Sequence, residues 1–171
     1  MRLWRDHPWH PMLTHFPLAL WTAGALLDAA ALVQGGMLWW RLAYGALLVG
    51  AVTAAPALLT GFIDYLRVSG AAGAPPGAPG SPSGTGRATA PEGAQSAALQ
   101  AATVHMVLMV AASGLFVMSL VLRPAAGAPL SPGLPVALSW LGLLALVAGG
   151  WFGGELVFRH GIGVKRESPG A

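Results

Sequence analysis

A chain of 171 residues that is 55% hydrophobic and only 9% charged falls far below the roughly 25% charge of soluble domains, so a single membrane-embedded unit is expected in place of a soluble one. The absence of cysteine removes disulfides, iron–sulfur ligation and thiolate chemistry, leaving His, Met and carboxylates to hold any metal or haem. The net charge of +3 comes from scattered basic residues without a run that reads as a nucleic-acid patch, and no nucleic-acid partner is expected.

The first apolar stretch, residues 14–33, is interrupted by Thr22 and Asp28 and is long enough to cross a hydrocarbon core of about 30 Å as a helix. It is entered through His10-Pro11-Met12-Leu13-Thr14-His15-Phe16-Pro17, where Pro11 suits a first helical turn and Pro17 bends the backbone. A cleaved signal segment is the rival reading, with Met1 to Arg5 as the basic region and Ala29-Ala30-Ala31 as the cleavage site. Asp28 at the end of the apolar run and two histidines before it speak against that reading. His7 and Trp9 read as interfacial anchors. Gln34-Gly35-Gly36 then makes a tight connection.

The second span covers residues 38–66, with Trp39, Trp40 and Arg41 at the interface and a kink expected at Pro56. Residues 70–95 turn to Gly, Pro, Ala and Ser, have little to bury, and read as a disordered tether. The third span, residues 97–122, carries His105 and stops before Arg123-Pro124. The fourth, residues 136–158, carries Gly149, Gly150, Gly153 and Gly154, two overlapping small-xxx-small pairs at which a neighbouring helix can approach closely. The expected fold is all-α, an integral membrane four-helix bundle in one domain.

Four crossings place both termini and the tether on one face. That face holds Arg2, Arg5, Arg67, Arg87, Arg159, Lys165 and Arg166, against Arg41 and Arg123 on the other. The positive-inside rule makes it cytoplasmic, in a multi-pass inner-membrane protein.

The same parity returns His10, His15, Asp64, His105, Glu155 and His160 to that side. His105 lies well inside its span, and its helical face carries Ala98, Ala101, Ala102, Met109, Ala112 and Ser113, so the imidazole is expected to point into the bundle. A neutral histidine that only fixes helix register and a ligand or proton-handling group are both open readings for it. His10 and His15 are five apart and do not stack on one helical face, so each needs partners from other spans. Glu155 with Arg159 reads as an intrahelical ion pair; Asp64 either pairs with Arg67 or orients an imidazole. Asp28 lies near the opposite face, where Arg41 is its expected structural partner.

His10-Pro-x-x-x-His15-Phe-Pro-Leu-Ala19, Asp28, Asp64-Tyr-Leu-Arg67, His105 and Gly153-Gly-Glu-Leu-Val-Phe-Arg-His160-Gly-x-Gly-Val164 together resemble the bacterial membrane family catalogued as domain of unknown function 2231. Phe158 stands where that pattern has a tyrosine. The resemblance implies four spans and, through family members joined to Rieske or cytochrome c modules, a link to electron transfer carried by His15, His105 and His160.

The leading expectation is a b-type haem or a transition metal, with His15, His105, His160 and His10 as candidate ligands and Asp64 and Glu155 behind them. For a metal ion the expected set is His15, His105 and His160. A redox partner protein or a second copy of the chain are the expected protein partners. A proton-coupled carrier or channel using the same groups, or a non-catalytic subunit packing through its fourth span, are the alternatives.

Overall fold

The structure, a computed structural model, describes residues 9–73, 92–124, 129, 131–162 and 164. Helices α1 (Trp9–Gln34), α2 (Met37–Gly73), α3 (Glu92–Val121) and α4 (Gly133–Phe158) account for most of the described residues, with no strand among them. Each contains a stretch long and apolar enough to span a membrane. The helices run past both edges of the expected tether, whose remainder, like His7, lies outside the described residues.

α1 packs on α2 and α3 on α4 as two antiparallel hairpins, and the hairpins meet through α2 against α3 and α1 against α4. The helices thus form a ring in which α1 and α3 stand diagonally across the bundle. Gly35 and Gly36 let α1 turn back so tightly, since both take positive φ, 70° and 87°, which side chains with a Cβ rarely adopt.

The surface is apolar nearly all round: Phe16, Leu32, Val52, Leu59, Val110, Leu144 and Trp151 are among the exposed side chains, as lipid requires. What faces inward is mostly small or polar, with Trp21, Leu47, Phe116 and Leu146 as the large apolar side chains among it. α1 buries Pro17, Trp21, Gly24, Asp28 and Ala31, a spacing of alternately four and three residues that keeps one seam turned to the partner helices. α4 does the same with Pro135, Ser139, Gly142, Leu146 and Gly149. Glycine, alanine and serine along these seams let the backbones close up, which is how helices associate where lipid removes any hydrophobic drive. At mid-bundle Trp21 stacks on Phe116 with ring centres 4.8 Å apart.

Candidate functional site

Two polar layers lie on either side of that aromatic stack. In the layer toward the α1–α2 turn, Arg123 grips Asp28 with both arms of its guanidinium: Nη1 donates to Oδ1 and Nη2 to Oδ2, each at 2.6 Å. Nη2 also donates to the hydroxyls of Ser119 (3.0 Å) and Ser139 (3.1 Å), and Nε to the Ser119 carbonyl (3.3 Å). Both charged side chains have no exposure at all. The expected partner, Arg41, is instead exposed on the outside of α2. It lies two residues before Ala43, the first buried position of that helix, and so points away from the seam that Asp28 faces.

The other layer draws on all four helices. His10, in the first turn of α1, donates from Nδ1 to the Ala57 carbonyl of α2 at 2.9 Å, with the Thr60 hydroxyl 3.4 Å away. His105 of α3 donates from Nδ1 to the Gly149 carbonyl of α4 at 2.8 Å. Carbonyls only accept, so the proton in each of these bonds sits on Nδ1, and a neutral ring held this way has its lone pair on Nε2. The two ring centres are 6.5 Å apart, with planes inclined at 79°.

Glycines make room for both rings. A Cβ on Gly61 would lie 2.6 Å from Cε1 of His10, and one on Gly153 would lie 3.0 Å from Cε1 of His105. Gly149 likewise sits under Leu108 and Met109. Gly150 has no neighbour within 4 Å, and Gly154 meets only Phe158 of its own helix. One of the two small-residue pairs therefore packs within the bundle, while the other does not.

The structure brings His10 to His105, buries the face of α3 that carries Ala98, Ala101, Ala102 and Ala112, and turns Val107 and Val110 outward. His15 is exposed on α1, about 140° round the helix from His10. His160 is half-buried just beyond α4. Among the described residues no three of His, Asp and Glu come close enough to hold a metal ion, so His15, His105 and His160 do not assemble as a set. Helical phase is the reason: the turn that aims His10 at the core aims His15 away from it.

Nor do carboxylates orient the imidazoles. Asp64 pairs with Arg67 at 2.9 Å and Glu155 with Arg159 at 2.7 Å, each within its own helix. Backbone carbonyls take the orienting part. The histidine pair was readable only in part, since His10 carries no motif that sets it above His15. A usable signal was the glycine in the facing helix, because an imidazole buried between packed helices needs a missing side chain opposite.

The chain matches the family described as predicted membrane protein, DUF2231, over residues 6–166. It belongs to that family. The match covers all four helices, and this DUF2231 protein is a multi-pass membrane protein whose spans lie in a lipid bilayer. No curated protein and no solved structure matches it.

Proposed function

We propose that this DUF2231 protein is a membrane redox module that binds one metal centre, a haem iron or a single transition-metal ion, between His10 and His105. The observation that carries the reading is the pair of rings itself: two imidazoles from diagonal helices, each with Nδ1–H given to a backbone carbonyl. A histidine that ligates through one nitrogen is ordinarily held this way through the other, which fixes the tautomer and the plane of the ring. Separation supports the same reading. The ring centres are 6.5 Å apart, so His10 and His105 would both be within reach of one group held between them. Imidazole nitrogens suit iron and copper, the redox-active metals that this reading needs.

A bound redox centre of this kind supplies one-electron transfer within the membrane. The chain's own part is to orient both rings and fix the Nδ1 protons through Ala57 and Gly149, and to seat them against Gly61 and Gly153. The positive-inside rule, applied to the excess of arginine beside the termini, supports a cytoplasmic position for this layer.

Absorption spectra and elemental analysis of detergent-purified protein test the proposal. A Soret band or a stoichiometric metal is expected in the wild type, lost in both His10→Ala and His105→Ala and kept in His15→Ala. A colourless wild-type preparation without bound metal overturns it. Proton flux into liposomes that depends on His105 would then favour a proton carrier.

A further inference from the structure

The buried positions of one hairpin fall on those of the other. Pro17, Trp21, Gly24 and Asp28 of α1 correspond to Ala112, Phe116 and Ser119 of α3 and to Arg123 just beyond it, all buried and all at one offset of 95 residues. Ala43, Leu47, Gly50, Ala54 and Ala57 of α2 correspond in the same way to Pro135, Ser139, Gly142, Leu146 and Gly149 of α4, again buried and at a constant offset.

The contacts repeat along with the positions. His10 lies over Gly61 and donates to the carbonyl four residues before it; His105 lies over Gly153 and does the same. Trp21 covers Gly50 as Phe116 covers Gly142. Gly24 meets Leu47 where the Ser119 hydroxyl meets that of Ser139. Histidine at 10 and 105, glycine at 50 and 142, glycine at 61 and 153, and arginine at 67 and 159 are identical.

Contacts between the hairpins then join each position to its own equivalent: His10 to His105, Trp21 to Phe116 and Asp28 to Arg123. A residue touches its own equivalent only on a two-fold axis. Since α1 and α3 run in the same direction, that axis lies along the bundle, as in parallel-repeat membrane proteins.

We propose that the bundle is one helical hairpin used twice about this axis, and that Asp28 and Arg123 decide which hairpins pair. The imidazole and aromatic layers would accept a hairpin of either kind, because like groups already meet there. The third layer would not. Two first hairpins would set Asp28 against Asp28, and two second hairpins Arg123 against Arg123, leaving like charges face to face in a fully buried site. Only unlike hairpins neutralise it. The charge pair thereby works against self-pairing of either half between neighbouring chains in the plane of the bilayer.

Charge exchange in the full-length chain tests this. Asp28→Arg alone and Arg123→Asp alone each put like charges on the axis and are expected to abolish the single sharp species in size-exclusion chromatography. The double exchange is expected to restore that species, because the two positions are equivalent. Restoration should be fuller when Gly24→Ser, Leu47→Ser, Ser119→Gly and Ser139→Leu move the supporting hydroxyls across with the arginine. Removing Leu47 also frees the space at position 24, where a Cβ now would lie 2.7 Å from its Cδ2.

Exchanged chains that behave no better than the single variants overturn the pairing role. A measurement on otherwise native protein checks the axis separately, since the chain lacks cysteine. Spin labels at Leu26 with Trp140, and at Leu48 with Val121, occupy equivalent exposed pairs and are expected to give the same distance distribution. Distinct distributions overturn the two-fold arrangement.

Discussion

Asp28 and Arg123 show what one residue costs or supports in this fold. Both are fully buried, and serine hydroxyls take up the guanidinium protons that the carboxylate does not. Such a pair adds little stability over a well-packed apolar pair, but removing one partner leaves the other charge stranded. Arg123→Ala is therefore expected to destabilise the protein by about 3–5 kcal/mol, read from denaturant unfolding in detergent. The double variant Asp28→Leu with Arg123→Met is expected to lose much less, since no charge stays behind. A single variant as stable as the double would contradict the argument. That Asp28 needed a cation was legible from the sequence, because a lone carboxylate in an apolar run is expensive. Which cation was not: Arg41 is near in sequence, but side-chain direction round α2 sends it to the surface, whereas Arg123, 95 residues away, directly follows a helix whose seam points at the carboxylate.

At the scale of the helix, the glycines divide by the direction they face. Gly61 and Gly153 meet imidazoles, and a Cβ at either would enter a ring's van der Waals space. Gly61→Ala and Gly153→Ala are expected to cost about 1–3 kcal/mol through overpacking and to loosen the Nδ1 bonds to Ala57 and Gly149. The latter would show as a changed ring-nitrogen chemical shift in NMR of histidine-labelled protein. Gly150, with open space beside it, is the control: Gly150→Ala is expected to be neutral or to gain up to about 1 kcal/mol from helix propensity. Equal effects at 150 and 153 would refute the division. The sequence marked Gly149, Gly150, Gly153 and Gly154 as a packing surface, which followed from their spacing. It did not tell the pairs apart, because two stripes one residue apart on a helix differ only in where the neighbouring helix stands.

For the molecule as a whole, the parity of the helices governs which groups share a side. The antiparallel hairpins put the imidazole layer at the end where α1 begins and the ion-pair layer at the end where it turns back. Single cysteines introduced at Ser69 and Ile162 are expected to react with an impermeant maleimide from one side of the membrane, and those at Gly35 and Ser131 from the other. The positive-inside rule predicts that Ser69 and Ile162 are the pair labelled from the cytoplasmic side. Labelling of Ser69 and Ile162 from opposite sides would undo the four-span topology. Length, apolar runs and breakers determined by themselves that there are four helices, that they suit lipid, and roughly where each begins and ends, because helix length and hydration are local properties of a segment. Only the tertiary structure decided that His10 and not His15 meets His105, that Arg123 holds Asp28, and that like positions of two hairpins face each other. Those outcomes depend on the phase of one helix against another, and in a sequence apolar on nearly every face the phase is set by packing between helices.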